Sequence, residues 1–301
     1  METNLTKYLQ PQVIQKIARL DVQAKCIVEG FISGLHRSPF HGFSTEFSEH
    51  RKYVEGDDIK YIDWNVYGKT DRHYIKKFEA QTNLECTLLV DVSKSMAYRY
   101  AGDSVSKLEY AIFLAAAMSY LMVKQHDSVG LVTFDNLLRA YVRPQSKPSQ
   151  LTTIIGLLAK TKTSEVTDFS ATLGRITGLL KHRGLVVILS DFLGDIDGAI
   201  EGLKRLRFKG NDIIAFHILD RAELDLPFQG NSLFIDSENP DHQVVAQADQ
   251  IRRQYRQEIG RFLARVRDEC ANLRVHYLGL NTAQAFDVAL REFLMERRAF
   301  G

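Results

Sequence analysis

Cysteine is scarce in this chain of 301 residues: Cys26, Cys86 and Cys270 are odd in number, far apart and free of any C-x-x-C spacing. That excludes a disulfide framework, argues against a structural zinc site and fits a reducing compartment. Excess charge is missing as well. With 39 Lys plus Arg against 37 Asp plus Glu, there is no global pull toward nucleic acid or an anionic membrane, so any binding must come from a local site. The longest apolar run, AIFLAAAMSYLMV from Ala111 to Val123, is too short to span a bilayer and contains Ser119 and Tyr120. The opening METNLTKYLQPQ has no basic start followed by an apolar run. We therefore expect a cytoplasmic protein without a membrane span. Internal repeats and low-complexity segments are absent too.

What the chain does have is 45% hydrophobic residues, enough for a full-sized core. Residues 11–29 place Val13, Ile17, Leu20, Ala24 and Ile27 at helical spacing. The following stretch is dense in aromatics and in charges of both signs. Its strand-like pieces are residues 61–64 and 74–78, with turn chemistry at residues 55–57 and 67–69. We set this N-terminal segment at residues 1–80.

From about residue 81 to 301 the pattern becomes alternating strand and helix, the mark of a mostly parallel sheet covered on both faces. Strands are expected over 86–90, 128–134, 185–189, 213–219 and 274–278, with 138–142 as an antiparallel edge strand. Helices are expected over 107–125, 149–160, 169–181, 196–208, 243–272 and 284–297. The fold class is α/β, a doubly wound open sheet of about six strands. The helix over 107–125 is apolar almost all round, as a helix sandwiched in a core is. The long helix carries an apolar stripe from Ala248 to Cys270, and its outer arginines have acidic neighbours three or four residues away. It reads as a solvated face, not a nucleic-acid surface.

In such a sheet, ligands bind beyond the carboxyl ends of the strands, where the strand order reverses. There the run LLVDVSKSM turns from apolar to Asp91, Ser93 and Ser95. One carboxylate and two hydroxyls suit a small hard cation, although a Ser pair after a strand also serves as a helix cap. A second strand ends in Ser190-Asp191-Phe192, and the loop around Thr167 and Asp168 precedes a helix, where Asp168 could serve only as its N-cap.

The three pieces DVSKS, VTDFSATL and ILSDF resemble the metal-ion-dependent adhesion site of von Willebrand factor A domains. The resemblance implies Asp91, Ser93 and Ser95 in the first loop, Thr167 in the second and Asp191 in the third, around Mg²⁺ or Mn²⁺. Where that family has glycines before its Thr, this chain has Ser164, Glu165 and Val166. Upstream, the residues from Glu46 to Trp64 resemble a bacterial domain of unknown function that merges into an A-like domain and is usually found alongside MoxR-type AAA+ ATPases.

The resemblance implies a non-enzymatic module that binds an acidic side chain of a partner, either such an ATPase or its client. One rival is a hydrolase using Asp91 or Asp191 around Mg²⁺, but the chain has no GxSxG elbow, no P-loop and no Asp two residues after Asp91. The other is a metal-free scaffold. His126 and His217 are expected as core or surface residues and Asp195 and Asp197 as helix-start residues, while the signature around Trp64 reads either as a structural clamp onto the A-like part, with Trp64 in an ion-paired hydrophobic seam, or as a partner surface.

Overall fold

The computed structural model describes residues 44–54, 62–81, 85–100, 105–124, 127–163, 169–236 and 241–284. The expected helices over 11–29 and 284–297 fall outside these residues, as do Cys26, His126 and the 55–57 turn. The described residues fall into two compact units, one within Ile32–Asn83 and one from Leu84 onward.

In the smaller unit, β1 (Ser44–Lys52) and β2 (Tyr74–Gln81) form an antiparallel pair with an irregularity between Phe47 and Glu49. Between them lies α1 (Trp64–Thr70). The expected strand at 61–64 and turn at 67–69 give way to this helix. Asp63 is the reason: its Oδ1 accepts from Val66 N at 3.3 Å and its carbonyl from Tyr67 N at 3.0 Å, an N-cap that starts the first turn. Trp64 is 58% exposed, its ring edge-on to Tyr67.

The larger unit runs β3 (Glu85–Asp91), α2 (Lys107–Lys124), β4 (Ser128–Phe134), β5 (Leu138–Gln145), α3 (Pro148–Leu158), α4 (Phe169–Leu179), β6 (Leu185–Ser190), α5 (Ile196–Phe208), β7 (Asp212–Leu219), α6 (Arg221–Asp225), β8 (Asn231–Ile235), β9 (Gln243–Gln247), α7 (Ala248–Asn272) and β10 (His276–Asn281). Six strands form one sheet in the order β10-β7-β6-β3-β4-β5, parallel except for β5. This is the expected doubly wound, mostly parallel open α/β sheet.

Burial explains the order. The strands β3, β4, β6 and β7 are buried on both faces, as parallel strands between helices are, while β5 alternates exposed and half-buried positions, as an edge strand does. On one face Leu89, Val132 and Ile188 pack with Leu173 and Ile176 of α4, Leu203 of α5 and Val266 of α7. The largely buried α2 packs on β3, β4 and β7 and against α3. Because β3 lies between β6 and β4, the strand order reverses there, and Asp91 ends the strand at the switch point.

Two boundaries differ from expectation. The expected helix over 243–272 starts at Ala248, because Gln243–Gln247 pairs antiparallel with β8, Val245 opposite Leu233. The expected strand at 274–278 starts at His276. Arg274 takes a left-handed φ of 54° and Val275 N bonds back to Cys270 O at 2.8 Å, so these residues close the helix before a strand can begin. Cys86 and Cys270 are free and buried. Among the described residues no helix is long and apolar enough to cross a membrane.

Candidate metal centre

Four neighbouring strands end in the same chemistry. Asp91 closes β3, and Asp135, Asp191 and Asp220 follow the last residues of β4, β6 and β7, all of them buried. An apolar run cut off by Asp is what a sheet needs where its carboxyl edge must carry oxygen donors. The sequence reading picked out Asp91 and Asp191, but the same signature was legible in VTFD and HILD.

Asp91 is held by its own loop and by the neighbouring strand. Oδ1 accepts from Ser93 N at 2.9 Å, and Oδ2 accepts from the Ser190 hydroxyl at 2.6 Å. The hydroxyls of Ser93 and Ser95 lie 2.9 Å apart, at the start of a 3₁₀ turn over Ser95–Ala97. Burial, and after it the charge of Asp191, pushes the Asp91 carboxyl up to about 7, against the pull of its bonds from Ser190 and Ser93.

Asp191 turns elsewhere. Its Oδ2 accepts from Lys107 Nζ at 2.7 Å and its Oδ1 from Leu193 N at 3.0 Å. Phe192 makes that turn with a left-handed φ of 49°, a strained position for a buried non-glycine residue at the strand ends. Lys107, the first residue of α2, is fully buried and also donates to Glu223 Oε1 at 2.5 Å. The two carboxylates hold this ammonium charged against the opposing effect of burial. Glu223 belongs to a capping box: its Oε2 accepts from Asp220 N at 2.8 Å, and Asp220 Oδ1 accepts from Ala222 N at 2.8 Å. Asp220 Oδ2 in turn accepts from Tyr100 N at 3.1 Å and the Thr282 hydroxyl at 3.2 Å. Lys107, Glu223, Asp220 and Ser190 are absent from the sequence-based set. For Lys107 the hint was a lone Lys opening an apolar helix.

Of the five expected metal residues, Asp91, Ser93 and Ser95 come together, Asp191 joins them while engaged with Lys107, and Thr167 lies outside the described residues, with Asp168. The donor set fits a hard divalent ion in two ways. At a Mg–O distance of about 2.1 Å, adjacent octahedral oxygens lie about 3 Å apart, and the hydrogen bond between the serine hydroxyls already holds them at 2.9 Å. Electrostatically, Asp191 and Glu223 share the one ammonium of Lys107, and a cation beside Asp91 would offset the burial and the Asp191 charge that push its carboxyl up. Among the described residues no group of three or more His, Cys, Asp or Glu is placed to hold a metal, so an ion here would depend on the serines. Asp91, Ser93, Ser95 and Asp191 all lie beneath the surface, with Ser95 4% exposed.

Other expectations come out simply. His217 is a core residue among Phe192, Phe262 and Tyr277, its Nδ1 2.9 Å from the Tyr277 hydroxyl. Asp195 caps α5 by accepting from Gly198 N at 2.9 Å, and Asp197 in its first turn pairs with Arg265. Of the outer arginines of α7, Arg252 pairs with Asp249 and Arg261 with Glu258 inside the helix, whereas Arg265 reaches Asp197 of α5 and Arg256 reaches Asp225 of α6.

The family model described as "Protein of unknown function DUF58" matches residues 49–262. An uncharacterized protein of Mycobacterium tuberculosis is 25% identical over 232 residues, covering 76% of this chain and 72% of that protein, and its Mycobacterium bovis counterpart matches equally. Among solved structures, the conserved hypothetical protein BatB from Bacteroides thetaiotaomicron overlaps 72% of this chain and all of its own at 16% identity and a TM-score of 0.46. The SpRpn10 VWA domain overlaps 70% of this chain at 13% identity and a TM-score of 0.40.

Proposed function

The chain belongs to the DUF58 family of proteins of unknown function, and from that footing we propose that it is a protein–protein interaction module, an adaptor or co-chaperone of a MoxR-type AAA+ ATPase that takes an acidic side chain of its partner at a Mg²⁺ or Mn²⁺ site. The observation that carries the reading is the pair of serine hydroxyls 2.9 Å apart beside Asp91, at the switch point of the sheet. Asp91, Ser93 and Ser95 are the direct donors. Asp191, engaged by Lys107 and Leu193 N, supports them from the outer shell, and Thr167 is the fifth donor by resemblance. Bound there, the ion supplies positive charge with an open position that favours a carboxylate.

Support for the partner class comes from the signature over Glu46 to Trp64. Asp91, Ser93 and Ser95 are buried, so entry of a partner's side chain requires local opening, and association falls below the usual 10⁵–10⁷ M⁻¹s⁻¹, on the order of the slowest protein pairs. No residue is assigned a catalytic step.

Titration calorimetry with MgCl₂ and MnCl₂, comparing wild type with Asp91→Ala, tests the ion. Wild type should bind, and at a hundredfold excess over Kd should gain about 2.7 kcal/mol of stability. The variant should show neither heat nor gain. Silence in both proteins overturns the ion site, and capture of a MoxR-type ATPase that survives EDTA unchanged overturns its use in recognition.

A further inference from the structure

Beside the acidic strand ends, the chain changes sign. From Asn136 to Ser164 there is no Asp or Glu, while Arg139, Arg143, Lys147, Lys160 and Lys162 all fall in that span. In a chain balanced at 39 basic to 37 acidic residues, this is a strong local bias. The fold concentrates it. β5 and the residues after α3 bring Arg139, Lys160 and Lys162 around a cavity of about 390 Å³, together with Thr133, Thr161 and Thr163. Val92, adjacent to Asp91, lines the same cavity.

Arg139 is held in place from below. Its Nε donates to Asp135 Oδ2 at 2.7 Å, and that carboxylate is fully buried while the arginine is 35% exposed. One nitrogen is thereby anchored and the terminal nitrogens are left for the two-pronged contact that guanidinium makes with carboxylates. Among the described residues no carboxylate pairs with Lys160 or Lys162.

Basic residues after a helix have a plain explanation, since they complement its negative end. Here the last carbonyls are already served. The Thr161 hydroxyl donates to Leu157 O at 3.0 Å, Lys160 N donates to the same oxygen at 3.0 Å, and Thr161 N donates to Leu158 O at 3.1 Å. The lysine ammonium groups are not needed there.

We propose that this cavity is a second recognition site, one that takes Asp or Glu side chains from an acidic segment of a partner protein. It rests on the interaction-module reading for the partner's being a protein, and not on any bound ion. Three cations gathered around one open cavity suit carboxylates one at a time. A nucleic-acid strand gains its affinity by neutralising roughly six to ten phosphates along a track, more than the five cations of this span supply.

The test is fluorescence anisotropy on the full chain at low salt, with a fluorescein-labelled peptide of alternating Glu and Asp, about ten residues long, and its Gln/Asn counterpart as control. The acidic peptide should bind and the control should not. Lys160→Glu/Lys162→Glu should weaken binding by about tenfold or more with an unchanged melting curve, and Arg139→Gln should weaken it less. Equal affinity in the double variant overturns the site, as does displacement of the peptide by oligo(dT) at equal phosphate-to-carboxylate concentration. An affinity lost in Asp91→Ala but kept in Lys160→Glu/Lys162→Glu sinks the cavity and leaves the ion reading standing. The reverse pattern upholds the cavity and sinks the ion's part in recognition.

Discussion

At the ends of β3, β6 and β7 the charges are buried and answered from within the chain, whereas on the flank built by β5 and the end of α3 they are exposed and, Arg139 with its Asp135 apart, have no carboxylate partner among the described residues. Lys107 has no exposed surface and two carboxylate partners within 2.7 Å, while Lys160 and Lys162 have no carboxylate partner among the described residues. Charges enclosed in low dielectric must be paired in place, because leaving one alone costs several kcal/mol. Charges in water carry no such constraint and stay available for a visitor. The first arrangement builds the edge, and the second leaves it a surface to recognise with.

The sharpest way to break this contrast is Lys107→Met. The change keeps the apolar stem inside the helix layer and strips the ammonium from Asp191 and Glu223. An uncompensated buried pair of carboxylates should cost about 3–5 kcal/mol, read as a fall in the urea midpoint with unchanged slope. A drop comparable to that of an exposed lysine would mean that the buried cluster is not an interior ion centre at all.

A somewhat smaller effect is expected from acid. His217 lies fully buried beneath the same edge, and burial, opposed in part by the charge of Asp191, lowers its pKa from 6.5 to about 4. In the unfolded chain the imidazole takes a proton near its ordinary value, but in the folded chain it does so only near pH 4. The contribution to stability is therefore complete above the unfolded value and is lost as pH falls toward about 4, by about 3 kcal/mol. Urea unfolding of wild type and His217→Gln at neutral pH and near pH 4 measures it. The stability lost on acidification should be about 3 kcal/mol smaller in the variant, and parallel losses would show that the histidine is not held neutral.

How far the sequence disclosed all this depends on whether the cause was local. The core strands were legible because burial on both faces leaves a continuous apolar run, and β4 was placed at its true ends, Ser128–Phe134. α1 was misread, since the aromatic residues near Trp64 look strand-like and the deciding factor is the Asp63 cap. β8 and β9 went unread because each of their short strands gains its state from the other. In the site, the first-loop triad Asp91, Ser93, Ser95 was visible as spacing. The ion centre was not, because Lys107 and Glu223 are 116 residues apart and only the crossing of α2 and α6 over the strand ends brings them together.

The gentlest test bears on the exposed side of the contrast. Lys160→Glu and Lys162→Glu reverse two charges, a larger formal change than the loss of one ammonium at Lys107. Both lysines are exposed, follow the last turn of α3 and have no ion pair to lose among the described residues, and the helix end they follow is closed by Thr161 and by backbone bonds. Substitutions of this kind shift stability by about 0.5 kcal/mol or less each. Calorimetric melting of the double variant should therefore overlay wild type within about 1 kcal/mol. A loss near that of Lys107→Met would mean that the flank is also part of the folded chain's own ion pairing. An overlay confines the role of these two lysines to what they meet from outside.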